Sequence, residues 1–403
     1  MPHTAGIEKR IKRHMRGKPH RFFVSTPPGM ETLCAGELQG LGMPLADVGI
    51  SKGGVEFTGR LPVCYLANLH LRTANRILMR LTNFTATSFR QLEKKLAEFP
   101  WELYLYKDAA FTFAVTSRHS RLIHTDAIAQ RCKTSMENRL QLSGIPGKKR
   151  PDDPDISPQQ IFVRAEDDQF TVSIDSTGEL LHRRGLKTQG GQAPVRETLA
   201  AAILMLAGYR PGDALMDPMC GAGTFSLEAA MISADIPAGW FRDFAFMGWP
   251  VFRPAQWDHL RRAAEKTMTK ISTPLIFASD IDAVICEKLA RVAASFDLET
   301  MISVTCEDFF ALRPADCKIP KPGVRPGLVV LNPPYGRRLG SKHTVDAMFD
   351  QIGKKLKKDF SGWKVAMMVP DKRLVKHLRF SDITTHDFFH GGLMVTLVCG
   401  QIP

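Results

Sequence analysis

Four short stretches carry the residue types best able to do chemistry: DPMCGAGTF from Asp217, SDID from Ser279, EDF from Glu307 and LNPPYG from Leu331. In the first, an apolar run enters Asp217 and Pro218, then a loop with Gly221 and Gly223, then a helix opening near Thr224. Glycines there allow a tight turn and close approach of the backbone to a ligand. The loop lacks the third glycine of the dinucleotide fingerprint and the Gly-Lys-Ser/Thr ending of a phosphate loop, which disfavours NAD and ATP. Asp280, followed by Ile281, ends an apolar run as a carboxylate accepting bonds from two ribose hydroxyls would. Asp308, followed by Phe309, ends another, where it could accept a bond from an adenine amino group. Asn332 ends a third, and its side-chain carbonyl beside the main-chain carbonyl of Pro333, ahead of Pro334, makes two acceptors suited to a planar NH2 group. Tyr335 adds a ring on which an extruded base could stack. Taken singly, each acid is an ordinary cap or turn residue, and Pro-Pro an ordinary corner. In register at successive strand ends, they describe a ligand site beyond the carboxyl edge of a sheet.

That register needs a parallel sheet. From about residue 181, the short apolar runs ALMDP, IFASD, MISVTCEDF, GLVVLNPPYG and KVAMMVPD alternate with helical stretches, as a sheet covered on both faces requires. PVRETLAAAILMLAGY reads as a helix, with Pro194 near its first turn and Gly208 after its last. ITTHDFFH and LMVTLVCG are separated by a tight turn containing Gly391 and Gly392, so one strand runs antiparallel to the rest. Upstream, FFVS, GVEFTG, AAFTFAVTS, QIFVRAE and QFTVSIDS read as strands, METLCAGELQGLG and QLEKKLAEFPW as helices, and LPVCYLANLHLRTANRILMRL carries apolar residues at helical spacing. IPGKKRPDDPDISP reads as a surface loop. GIEKRIKRHMRGKPHR sets seven cations around Glu8 and is expected to be a solvated, mobile tail, whose charge could also touch phosphates.

The 403 residues include 54 Lys and Arg against 41 Asp and Glu, a formal charge of +13, which favours polyanionic partners and nucleic acid first. The eight cysteines are scattered, without a Cys-x-x-Cys pair or histidines at zinc-ligand spacing, so reduced thiols and no metal site are expected. No apolar run approaches the roughly 20 residues that span a bilayer, and no signal-peptide pattern opens the chain, so the expected setting is cytoplasmic.

In their order, the four stretches resemble the motifs of class I S-adenosylmethionine-dependent amino-methyltransferases. With LHRRGLKTQGGQAPVRETLAAAILMLAGY upstream, ADIPAG after the glycine loop and FFHGGLMVTLVCGQI at the end, the chain is similar to bacterial large-subunit rRNA guanine-N2 methyltransferases that carry a THUMP RNA-binding domain. The similarity spans most of the chain and is closest from about residue 180. It implies an α/β, Rossmann-like, seven-stranded class I methyltransferase domain at 181–403, its last strand inserted antiparallel. Ahead of it come α+β parts: a basic tail at 1–20, a ferredoxin-like domain at 21–70 and a THUMP domain at 71–180.

The same resemblance implies that Asp217, Pro218, Gly221, Gly223 and Thr224 wrap the methionine part of S-adenosyl-L-methionine, that Asp280 with Ile281 holds the ribose, and that Asp308 with Phe309 holds the adenine. Asn332, Pro333, Pro334 and Tyr335 would form the target-base site, Asn332 bordering the cofactor as well. Accepting hydrogen bonds from both amino protons would favour a more tetrahedral nitrogen and aim its lone pair at the methyl group, and the sulfonium needs no metal to activate it. The implied partner is RNA, most directly large-subunit rRNA, with Arg118, Arg121, Arg131 and Lys133 as candidate phosphate contacts and the chain a monomer. Asp217 and Asp280 stand much further apart than the roughly 20 residues of a compact nucleotide-binding unit, because GWFRDFAFMGWPVFRPAQWDHLRRAAEK intervenes, its aromatics expected to pack onto the sheet. Arg337 occupies a position where relatives commonly have an acid, and the second methyltransferase domain of the best-known members is not in these residues, so its activity is not carried over. NPPY suits any planar amine, so adenine-N6 methylation of DNA or RNA, guanine-N2 methylation of tRNA and a non-catalytic RNA-binding role stay open.

Overall fold

The computed structural model describes residues 2–143, 145, 158–186, 195–317, 326–334, 342–380, 382–390 and 393–403. The chain divides into two units and passes between them repeatedly: residues 1–26, 34–181 and 242–262 form the first, and 27–33, 182–241 and 263–403 the second.

The first unit is built on one sheet of seven strands: β1 (His20–Ser25), β2 (Ala46–Ser51), β3 (Gly54–Gly59), β4 (Arg76–Thr85), β5 (Phe111–Arg118), β6 (Gln159–Glu166) and β7 (Gln169–Asp175), in the order β2-β3-β1-β4-β7-β6-β5. Only β5 and β6 run parallel. The stretches 21–70 and 71–180 share this sheet, because β4 pairs with β1 on one side and β7 on the other. The helical spacing over 61–81 is half right: a helix covers Leu61–His70, but RILMRLTNFT is β4. A strand hydrogen-bonded on both edges outweighs local helical spacing.

Two further expectations are corrected here. Residues 2–11 are not a mobile tail but a helix, Pro2–Ile11, that runs into a π-helical turn, Lys12–Arg16. Ile7, Ile11 and Met15 recur every fourth residue and are buried, while Arg10 Nη1 donates to Glu102 Oε1 at 2.9 Å. An apolar stripe of that period is enough to dock a helix whose other faces are cationic. The aromatic insertion, for its part, is divided: Phe241 packs edge-on against Phe296 in the second unit, with ring centroids 5.0 Å apart, but most of its aromatics do not pack there. Residues 242–262 belong to the first unit, where Phe246 stacks on Tyr65 (centroids 4.4 Å apart) and buried Trp249 donates to Gln159 Oε1 at 2.8 Å.

The second unit holds β8 (Leu215–Asp217), β9 (Ile276–Asp280), β10 (Ile302–Cys306), β11 (Leu328–Leu331), β12 (Lys364–Val369), β13 (Ile383–His390) and β14 (Leu393–Gln401), in the order β10-β9-β8-β11-β12-β14-β13. Strands β8 to β12 are mutually parallel where they pair, and β14 lies antiparallel between β12 and β13. The expected seven-stranded Rossmann-like sheet is present, antiparallel insertion included. Its central strands β11 and β12 are almost wholly apolar because both faces are covered: Leu328, Val330 and Met368 pack with Leu199 and Ile203 on one side, Val329, Leu331 and Met367 with Phe349 and Ile352 on the other. Pro194, Gly391 and Gly392 and most of the proline-rich loop lie outside the described residues.

Candidate active site

Strand register brings the four stretches to one rim. Met216 on β8 faces Phe277 on β9 and Val329 on β11, and Cys306 on β10 faces Asp280. Asp217 and Asp280 therefore close adjacent strands, Asp308 lies two residues past β10, and Asn332 is the first residue past β11. Between β8 and β11 the strand order reverses direction, and such switch points are where open α/β sheets bind ligands.

The glycine loop is locked at its middle to the end of β9. Cys220 N donates to Ser279 O at 3.0 Å, and Gly221 N to Asp280 Oδ2 at 3.0 Å. Gly223, at φ +75°, is the N-cap of the helix Thr224–Ser233, and a Cβ there would run into the side chain of Leu289. Only glycine meets both conditions. Gly223 offers no capping side chain, and the partial positive charge of the helix's first N–H groups points toward the rim, where Asp217 lies. Thr224 and Pro218 are buried.

Asp217 is 1 % exposed, and Ser226 Oγ donates to its Oδ2 at 2.7 Å. Its Oδ1 finds no hydrogen-bond partner among the described residues. Burial pushes its carboxyl up to about 7; hydrogen bonds from Ser226 hold it back in part, and the neighbouring Asp280 carboxylate adds to the rise. Asp280 is half-buried and also accepts from Asp282 N at 3.1 Å, while Asp282 is the ordinary helix cap, accepting from Val284 N and Ile285 N. The two acids of SDID thus divide into one that holds the loop and one that starts a helix.

Asp308 is exposed and accepts from Phe310 N at 3.0 Å, a turn role that uses one lone pair. Phe309 does not face the rim: it is 2 % exposed and packs in the core against Phe360, with ring centroids 6.2 Å apart. The large apolar side chains left in water here are Ile281, Val284 and Phe310. Asn332 is half-buried, yet its Oδ1 is enclosed and has no partner among the described residues. Pro333 is buried and Pro334 exposed, while Tyr335 and Arg337 lie outside the described residues.

Residues not singled out from the sequence complete the site. Ser226 fixes Asp217, and its place in the first turn after GAGT was a readable signal. Arg184 and Glu228, each 1 % exposed, pair at 2.7 Å beneath that same helix, across a span of chain that no local pattern reveals. In the first unit, two of the candidate phosphate contacts sit close to acids, Arg131 with Glu93 at 2.8 Å and Arg121 with Asp168 at 3.6 Å; Lys133 lies 3.9 Å from Glu137. Among the described residues, no helix is long and apolar enough to cross a membrane.

Comparison with known proteins places this geometry in context. Residues 184–398 match the family model of the RMKL-like methyltransferase domain, and residues 21–78 that of the RlmL ferredoxin-like domain. The ribosomal RNA large subunit methyltransferase K/L of Syntrophotalea carbinolica is 33% identical over 396 residues, covering 94% of this chain and 53% of that protein. The chain spans about half the length of the curated relatives it matches. Among solved structures, one described as a predicted N6-adenine-specific DNA methylase from Listeria monocytogenes superposes with a TM-score of 0.82 at 27% identity, covering 96% of this chain and 97% of that one. SMU.472 complexed with SAH gives 0.82 at 28% identity, covering 96% and 99%.

Proposed function

Because this chain belongs to the family of RMKL-like methyltransferase domains, we propose that it transfers a methyl group from S-adenosylmethionine to the exocyclic N2 amine of a guanine in large-subunit ribosomal RNA. The observation that carries this reading is the convergence of Asp217, Asp280, Asp308 and Asn332 on the carboxyl ends of adjacent strands at the sheet's switch point; among the described residues Asn332 Oδ1 and Asp217 Oδ1 also have no hydrogen-bond partner. Buried acceptors left open are costly, and each suits a specific donor: an amino group at Asn332, an ammonium at Asp217.

The rim fits the cofactor. Asp217 and the N–H groups at Thr224 would hold the ammonium and carboxylate of its methionine part, Asp280 its ribose hydroxyls, and Asp308 its adenine amine, with Ile281 and Phe310 as apolar walls. Phe309 contributes its backbone only, its ring being core. When bound, S-adenosylmethionine supplies a methyl group on a positively charged sulfur, already activated toward a nitrogen nucleophile. Asn332 Oδ1 and the carbonyl of Pro333 accept the two amino hydrogens of the base, which draws the nitrogen toward tetrahedral and fixes its lone pair. The proton released afterwards passes to solvent. Residues 71–180 act as the THUMP-like part that holds RNA by shape and charge, Tyr335 stacks on the extruded base, and the setting is cytoplasmic, where ribosomes are made.

A second reading, methylation of adenine N6, is favoured by the description of the Listeria structure, and Asn332 suits either amine. One experiment separates them: nucleosides of rRNA and tRNA from cells with and without the gene, resolved by mass spectrometry. Loss of one N2-methylguanosine from large-subunit rRNA is expected. Loss of N6-methyladenine instead, or of tRNA N2-methylguanosine, would replace this reading.

A further inference from the structure

Three thiols gather around the end of β9, where the proposed ribose and adenine sites meet. Cys220 lies in the glycine loop, Cys286 in the first turn of the helix Ala283–Ser295, and Cys306 ends β10. Cys306 is exposed, whereas Cys220 and Cys286 are 7% and 6% exposed. Cys306 also stands between the two acids of the cofactor site: it faces Asp280 across β9 and β10 and precedes Asp308 by two residues. None of these sulfurs has a part in the proposed methyl transfer.

Two of the three converge on one spot. Cys286 Sγ donates to Asp280 O at 3.5 Å and to Thr305 O at 3.3 Å, and Cys306 Sγ donates to Ile281 O at 3.6 Å. These acceptors are the carbonyls of consecutive residues, 280 and 281, and of the residue directly before Cys306. The two thiols therefore lie side by side and act on one another directly; burial first, and Cys306 beside it, push the Cys286 thiol above its ordinary range. Cys220 instead turns back on its own loop, its sulfur 3.7 Å from Gly221 O. The arrangement pairs an exposed thiol that a reagent can reach with an enclosed one poised to attack it next.

We propose that Cys286 and Cys306 form a site of reversible oxidation by a small disulfide such as oxidised glutathione, and that the bond between them weakens cofactor binding. The inference rests on the cofactor site proposed above. The Cys306 sulfur attacks one sulfur of the small disulfide, giving a mixed disulfide, and one glutathione leaves with the proton that Cys306 gave up. Cys286 then attacks the Cys306 sulfur, and the second glutathione leaves with the Cys286 proton. Two protein thiols lose two electrons, and the small disulfide gains them. Disulfides that form in reducing compartments are of this transient, sensing kind. Once oxidised, neither sulfur donates a hydrogen bond, so the carbonyls of Asp280, Ile281 and Thr305 lose their thiol donors. The start of the helix is at the same time tied to the end of β10, between the residues that hold ribose and adenine.

The test treats the whole chain with oxidised glutathione, maps its cysteines by alkylation and peptide mass spectrometry, and reads S-adenosylhomocysteine affinity by calorimetry before oxidation, after it, and after dithiothreitol. One bond between Cys286 and Cys306 is expected, leaving the chain lighter by two hydrogens, with affinity lower by about tenfold, the worth of one or two hydrogen bonds, and restored by dithiothreitol. Cys306→Ser should bind as the reduced parent does and ignore the oxidant. Cys317→Ser, which removes a partly exposed thiol outside the pair, should respond as the parent does. Free thiols at both 286 and 306 after oxidation would overturn the inference, and so would a bond mapped to another pair or between two chains, or equal affinity in the two forms. A reduced parent that binds no S-adenosylhomocysteine would instead bring down the proposed function, and this regulation with it.

Discussion

The first unit and the rim of the second sheet treat buried carboxylates in opposite ways. In the first unit each buried acid is surrounded. Glu102, with no exposed side-chain surface, receives Arg10 at 2.9 Å and Arg139 at 3.0 Å; burial alone would raise its carboxyl, yet hydrogen bonds from the two arginines bring it below the ordinary range. Glu37 accepts Arg72 N, Thr73 N and Thr73 Oγ1, and Asp175 accepts Arg76, Thr177 N and Gly178 N. At the rim, Asp217 Oδ1, Ser279 Oγ and Asn332 Oδ1 are enclosed without partners among the described residues. Satisfied groups specify a fold, and a buried acceptor left open calls for a partner, which at the rim a bound ligand would supply.

The strongest way to break that contrast is at Asn332. Asn332→Ala is expected to lower methyl transfer about 10²- to 10³-fold, as loss of one transition-state hydrogen-bonding group does, while S-adenosylhomocysteine affinity and urea stability hold. Retained turnover would show that its open oxygen has no part in the chemistry. The opposite outcome is expected in the first unit. Glu102→Ala should cost on the order of 3 kcal/mol of stability, seen as a lower urea midpoint in the fluorescence of adjacent, buried Trp101, with turnover of the folded protein unchanged.

The smallest effect sharpens the contrast through pH. Since burial lifts the Asp217 carboxyl to about 7, it is neutral in the ligand-free fold below that pH. Affinity for S-adenosylhomocysteine, whose ammonium needs the charged form, should rise about tenfold, or ~1.4 kcal/mol, as pH climbs through 7. Ligand-free stability should move the other way. A carboxyl whose folded pKa is raised contributes stability that is fully present below its unfolded value near 4 and is lost as pH rises through the folded value. Asp217→Asn should flatten both slopes, without destabilising the free protein. Calorimetry and thermal melts at pH 6 and 8 measure the pair, and parallel slopes would remove Asp217 from the ligand site.

How far the sequence spoke depended on how local each signal was. All seven strands of the second sheet, and the antiparallel insertion, follow from short apolar runs and their spacing, and the four rim stretches follow from the rule that ligands bind at strand ends. Phe309 was not decidable in that way, because one phenylalanine after an acid serves equally as core or as ligand wall, and the choice fell to Phe310 for exposure. The stripe Ile7, Ile11, Met15 was legible but obscured by seven surrounding cations. β4 was misread because Leu61–His70 and Arg76–Thr85 are both apolar at compatible intervals, and only pairing with β1 and β7 separates them. The address of residues 242–262 was not legible at all: aromatic content says that a segment will be buried, never against which sheet.

That last segment bears on how the molecule comes into being. The aromatic side chains that complete the first unit sit at 244–257, some 70 residues downstream of β7. A ribosome delivering this chain therefore exposes Tyr65 without Phe246, and Gln159 without Trp249, until most of the second unit's opening helices have emerged. The amino-terminal half cannot mature first and wait, and a clone stopped at residue 181 would yield an unfinished half rather than a domain.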